Sequence, residues 1–176
     1  MTLSDIRIRP ATEADLETVL DILSDAAAWA ASRGFANWPE RFPRNLVERT
    51  IAAGTVRLAE TGARPIATIT LQWEDEMFWG PMPPDAGYVH RLAVRTDDHG
   101  LGIGPTLLEW ASREVLANDR AWLRLDIVST NSSLRRYYEG ERFVHVRDIH
   151  GEFTRRDGTI WPWQTSLYER RCGLEP

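Results

Sequence analysis

Three glycines at alternate positions, Gly100, Gly102 and Gly104, punctuate the run Arg91-Leu-Ala-Val-Arg-Thr-Asp-Asp-His-Gly-Leu-Gly-Ile-Gly-Pro-Thr-Leu-Leu108. The residues before them read as a strand and those after them as a helix. Glycines let backbone N–H groups approach an anion closely, and a helix start adds the positive end of the peptide dipole. That combination suits a diphosphate. A tight turn with a glycine cap and no ligand would leave the same trace. The turn lacks the Gly-Lys-Ser/Thr ending of a nucleoside-triphosphatase loop. A dinucleotide-binding fold would want most of its sheet after this turn, and too little chain follows.

The elements around the turn are legible from periodicity. Ile6 to Arg9 reads as a short strand ended by Pro10. Thr12 and Asp15 make a capping-box-like start. Leu16, Val19, Leu20 and Leu23 then follow helical spacing to about Ala31, and Gly34 stops that helix. Arg44 to Ala53 reads as a second helix closed by Gly54. A hairpin follows, Thr55 to Glu60 and Ile66 to Trp73. Glu74 to Gly87 reads as a long ordered loop. Tyr88 to Val94 is a strand, Pro105 to about Ala117 a helix, and Trp122 to Val128 a strand. Asn131 to Glu139 is a short helix stopped by Gly140. Phe143 to Ile149 and Trp163 to Arg170 are the last strands, joined through a turn at Asp157-Gly158. The hairpins imply antiparallel pairing, and the strand–helix–strand run over 88–128 implies one parallel crossover. A mixed α/β sheet, mostly antiparallel with helices on both faces, is expected, in one domain over residues 1–176.

Composition narrows the class. The chain has 176 residues, 43% of them apolar, enough for a real core. A net charge of -5 argues against a nucleic-acid partner. No apolar run approaches the ~20 residues of a membrane span, so no membrane association is expected. MTLSDIRIRPATEADL has no apolar signal core. Cys172 is the one cysteine, with no internal disulfide to make, and a cytoplasmic setting fits. His90, His99, His145 and His150 show no metal-ligand spacing, so no metal is expected. No serine or cysteine nucleophile motif is present.

Two stretches resemble one family. His99-Gly-Leu-Gly-Ile-Gly104 is similar to the coenzyme motif of the GNAT superfamily of N-acetyltransferases. His99 stands where Arg or Gln is usual, and its ring can donate to a phosphate with a weaker, pH-dependent charge. Pro105 removes one backbone N–H but suits a first helical turn. Leu125-Asp-Ile-Val-Ser-Thr-Asn-Ser-Ser-Leu-Arg-Arg-Tyr-Tyr-Glu-Gly-Glu-Arg-Phe143 is similar to the family's strand–Asn–helix–Tyr signature. Arg142 stands where Gly is usual, so the turn into the next strand is expected to differ. The opening Ile8 to Leu16 is also common in this superfamily.

The resemblance implies acetyl-CoA as cosubstrate and an amine as acceptor. Coenzyme contacts are then expected from Leu92, Ala93 and Val94 through their backbone, from Gly100, Leu101, Gly102, Ile103, Gly104, Pro105 and Thr106 with His99, and from Asn131 and Tyr138. The side chains of Leu92 and Val94 are read as ordinary core. The backbone N–H of Val94 would polarise the acetyl carbonyl. Tyr138 would protonate the departing sulfur, with Tyr137 as fallback. Asn131 caps its helix and reaches the coenzyme. Asp126 is a candidate base, His90 its rival and Glu74 a third. Arg135 and Arg136 are either phosphate contacts or solvated helix charges.

Six of the eight tryptophans sit in connections: Trp29, Trp38, Trp73, Trp79, Trp161 and Trp163. With Glu74, the residues Trp29, Trp38, Trp73 and Trp79 are read as acceptor-site walls, which suits a cationic or aromatic small-molecule amine. Aromatics that bury the loops are the other reading. A peptide-amine acetyltransferase and a non-catalytic acyl-CoA-binding module remain alternatives, and a homodimer stays open.

Overall fold

A computed structural model of the chain describes residues 5–35, 38–154 and 160–173, with backbone alone for 153–154 and 160–162. Its elements are β1 (Ile6–Pro10), α1 (Leu16–Ser32, after a 3-10 turn at Glu13–Asp15), α2 (Arg44–Ala52), β2 (Val56–Thr61), β3 (Arg64–Gln72), α3 (Glu76–Trp79), β4 (Ala86–Val94), α4 (Ile103–Ala117), β5 (Trp122–Val128), α5 (Ser132–Gly140), β6 (Val144–Thr154) and β7 (Ile160–Arg171). The seven strands run in the order β1-β2-β3-β4-β5-β7-β6. The sheet is mixed α/β and mostly antiparallel, with helices around it. β4 and β5, joined through α4, are its one parallel pair. No described helix is long and apolar enough to cross a membrane.

The chain groups into two compact units: Met1–Gln72 with Val89–Ala111, and Trp73–Tyr88 with Ser112–Pro176. The core of the first forms where Leu16, Val19, Leu20, Ile22 and Leu23 of α1 bury against Val47 and Ile51 of α2, Val56 and Leu58 of β2, and Ala93. Each such aliphatic side chain contributes about 1.5–3 kcal/mol on leaving water. Arg9 braces the start of α1, bonding Asp15 at 2.7 Å and Glu60 at 2.8 Å. The expected capping box between Thr12 and Asp15 is present. In the second unit Trp79, Ala86, Tyr88 and Leu167 form a core cluster, with Phe78, Trp122 and Ile149 against it. Gly151 and Trp163 are cross-strand partners in β6 and β7. The indole lies so close that a Cβ on Gly151 would meet its ring at 2.6 Å.

Helix endings are where the structure corrects the sequence reading. Gly34 and Gly54 do reverse the chain after α1 and α2, both with positive φ. Gly140, however, is the last residue of α5, and the reversal falls at Arg142 with φ 65°. Phe143 N–H reaches the carbonyl of Tyr138 at 2.9 Å and Arg142 N–H that of Glu139 at 3.0 Å. Those two bonds define a Schellman ending. The turn therefore keeps the geometry glycine would give it, with an arginine in the left-handed position. The 74–87 segment also differs from the expected loop. Asp75 caps the four-residue helix α3, and Ala86 and Gly87 already belong to β4. α4 starts at Ile103, two residues before Pro105. The Asp157-Gly158 turn lies outside the described residues.

Candidate active site

In the first unit, β4 delivers the chain to the glycine turn. Gly100 and Gly102 have φ of 78° and 74°, a conformation that favours glycine. A Cβ on Gly100 would meet nothing within 4 Å, so open space faces the turn. His99 N–H is taken by the Thr96 carbonyl and Thr106 N–H by that of Gly102. Between them, no hydrogen bond among the described residues claims the amides of Gly100, Leu101, Gly102, Ile103 and Gly104. Five unclaimed donors at the start of a 15-residue helix fit a diphosphate. The donor set is thus narrower than His99 to Thr106, because both ends of that run already have partners.

His99 itself is committed elsewhere. Its Nε2 lies 3.0 Å from the carbonyl of Val94, which can only accept, so that nitrogen carries the proton. The ring also meets Trp29 edge-on at 4.7 Å, and the Arg33 guanidinium covers the same indole at 4.3 Å. Asp25 accepts from Thr96 N–H at 2.6 Å, tying α1 to the turn. The imidazole therefore braces the turn through Nε2 and its contact with Trp29. Trp38 packs against Phe42, and both lie against the core of this unit.

Within β4, Arg91 has φ 48°. A left-handed residue interrupts the strand's two-sided alternation. Beyond it Ala93 enters the core, while Leu92 and Val94 are half-buried. The expectation that Leu92 and Val94 are the core side chains is corrected by that local twist. His90 is pushed down to about 4 by burial and by the Arg91 charge, so it is neutral at physiological pH.

The second unit carries the other half of the signature. Asn131 caps α5, its Oδ1 accepting from Leu134 N–H at 3.0 Å. Tyr138 is 7% exposed and lies 5.0 Å from the Tyr137 ring and 5.5 Å from Phe143. The Schellman ending fixes both Tyr138 and Phe143, which explains the Tyr-to-Phe spacing of the motif. Burial first, then the charges of Tyr137, Asp126 and Glu141, hold the Tyr138 hydroxyl protonated well above its ordinary range. Tyr137 is raised similarly by burial.

Asp126 is pushed up to about 7, first by burial and second by Asp75. Carboxylate oxygens of the two lie within 4.8 Å. Asp75 is itself raised by burial, although it accepts from Phe78 N–H. The sequence places Asp126 as a candidate base and Asp75 only among the acidic residues of the acceptor segments, with no link between the two. The signal at Asp75 was an aspartate three residues before Phe78, the spacing of a helix cap.

Other expected residues fall into framework positions. Trp79 is 3% exposed and packs on Tyr88, with Arg124 at 5.1 Å from its ring. The Arg120 guanidinium lies 4.9 Å from the Trp73 ring and donates to the Trp73 carbonyl. Glu74 is exposed. Arg135 donates to the Tyr168 hydroxyl and Arg136 to Ser133. The Trp161 side chain lies outside those described.

Comparison with known proteins identifies the family. The model of the acetyltransferase (GNAT) family matches residues 18–142, and the chain belongs to that family. It is an N-acetyltransferase that takes its acetyl group from acetyl-CoA. The chain is similar to the uncharacterized N-acetyltransferase YesJ of Bacillus subtilis, 27% identical over 138 residues, covering 73% of this chain and 76% of that protein. Among solved structures, a GNAT-family acetyltransferase from Listeria monocytogenes superposes with a TM-score of 0.75 at 22% identity, covering 94% of each chain. The PaiA N-acetyltransferase from Thermoplasma acidophilum, solved in complex with coenzyme A, gives 0.66 at 17% identity, covering 94% of this chain and 98% of its own.

Proposed function

We propose that the protein acetylates the amine of a small molecule by direct transfer, with Tyr138 as general acid and Asp126 as general base. The observation that carries this reading is the row of five unclaimed amides at Gly100–Gly104. It supplies neutral donors for a diphosphate without a side-chain cation. Acetyl-CoA brings the activated acyl carbon. The Val94 N–H polarises the thioester carbonyl. As the amine nitrogen bonds to that carbon and the carbon–sulfur bond breaks, the Tyr138 hydroxyl gives its proton to the sulfur. Asp126 takes the proton released by the amine. A carboxyl group near pH 7 is well matched to that task, whereas an imidazole at about 4 is a weak acceptor. His90 is therefore given no part as the base. Trp29, Trp38 and Trp73 are the half-buried aromatics left to shape acceptor binding; Trp79 is excluded by its burial.

Free-thiol release from acetyl-CoA across a panel of small amines and peptides tests the proposal. Turnover with small amines is expected. Acetylation of peptides alone would overturn the small-molecule reading. Tyr138→Phe should lower kcat by about 10²–10⁴-fold with coenzyme affinity retained; unchanged turnover would remove the tyrosine from the mechanism.

A further inference from the structure

Arg91 combines two costly features. Its backbone is left-handed inside a strand, a conformation that costs a non-glycine residue about 1–2 kcal/mol. The two other non-glycine residues with positive φ among those described, Asp119 and Arg142, close helices, where such a turn is routine. Arg91 closes nothing. Its Nη2 is sealed from solvent without a hydrogen-bond partner, and among the described residues no carboxylate pairs with it. Burial alone sets its proton affinity, and that affinity is lowered. Arg91 is half-buried, and a cation with a sealed, unpartnered nitrogen is costly and persists where a ligand supplies the counter-charge. Strain and unmet charge on one residue point to function.

Resting on the acetyl-transfer reading above, we propose that Arg91 binds a carboxylate of the acceptor, so that the amines acetylated here are amino acids or amino-acid-like compounds. The guanidinium fork matches a carboxylate through two parallel N–H bonds. Along β4, Arg91 precedes Val94 by three residues, about 10 Å of strand. It is thus closer in the chain to the carbonyl-polarising amide than to the glycine turn, which already has five amides for phosphate. The span suits a molecule whose amine and carboxylate are separated by a few bonds. The neutral state of His90, which feels the Arg91 charge, leaves that cation free to act on the ligand alone.

The test compares amino acids, their α-carboxamides and the corresponding decarboxylated amines as acceptors. The wild-type protein should prefer the acid by about 10–100-fold in kcat/KM, the range for one hydrogen-bonded charge. Arg91→Gln should abolish that preference through KM, with kcat little changed and coenzyme A affinity intact. Arg91→Met should do the same and also raise Tm, because the unpaired charge is gone; a structural arginine would lower it. Equal use of acid and amide by the wild type overturns the proposal. So does a fall in coenzyme A affinity with discrimination preserved, which would assign the anion to the coenzyme. Acetylation of amines and amides but not acids sinks this inference while leaving acetyl transfer standing. Absence of thiol release with every amine sinks both.

Discussion

Arg124 is buried and Arg91 half-buried, one in each unit, and their surroundings are opposite. Arg124, with 4% of its side chain exposed, bonds Asp85 at 2.9 Å, Glu169 at 3.1 Å and the Tyr88 hydroxyl at 3.2 Å. Burial lowers its pKa, and the bonds to Tyr88 and Glu169 outweigh that, so the net shift is upward. For Arg91 burial lowers the pKa with nothing to offset it. The carboxylates of the second unit differ in the sign of their neighbours' charge. Asp85 and Glu169 share a cation, whereas Asp75 raises the pKa of Asp126. A buried charge that the fold pairs is framework; one that it leaves unpaired is held ready for a partner.

The largest expected effect is on the framework side. Arg124→Met should destabilise by about 3 kcal/mol, because Asp85 and Glu169 lose their cation in a half-buried site; the urea midpoint reads this. A change near zero would erase the contrast. Next comes the Asp126 carboxyl, whose pKa burial and Asp75 raise. The rate limb for kcat/KM should rise with pH through about 7, since the base must be ionised. Asp126→Asn should abolish that limb and lower the rate about 10²–10⁴-fold. Asp75→Asn removes the second-largest cause of the raised pKa, so the limb should move to lower pH. The stability of the fold has the opposite sign. A carboxyl raised above its ordinary 3.8 to about 7 favours folding fully below the unfolded value. That contribution is lost as pH climbs through the folded one. Asp126→Asn should therefore narrow the stability gap between pH 4 and pH 8.

Smaller still is the effect at Arg142, left-handed like Arg91 but in a helix ending. Arg142→Gly should raise stability by about 0.5–1 kcal/mol, relieving strain without touching a buried charge. If it lowered Tm, strain would not be the quantity that Arg142 and Arg91 share. Arg44 sets the baseline: exposed, paired with Glu17 and Glu48, it should leave the urea midpoint unchanged when replaced by alanine.

How much of this was legible beforehand depends on the range of the interaction. The order of strands and long helices followed from apolar spacing, as with Leu16, Val19, Leu20 and Leu23. Local caps were equally readable at Thr12, Asn131 and Gly34. Glycine at 140 was misleading, since the reversal depends on hydrogen bonds two residues later, at Arg142 and Phe143. Trp79 looked like a binding wall because composition reports how much aromatic surface exists, and only packing against Tyr88 shows where it goes. His99 reads as a phosphate donor in the sequence, and only the fold shows its Nε2 turned to the Val94 carbonyl.

The sequence by itself determined the family, the turn that presents free amides, and the tyrosine whose spacing to Phe143 makes the helix ending. Each of these is set by residues near one another in the chain. The tertiary structure alone decided the ionisation of Asp126 and His90, the left-handed kink at Arg91, and which arginine is paired. Those depend on burial and on charges far apart in sequence. Desolvation and Coulomb energy are fixed by distances in space, which no local pattern of residues encodes.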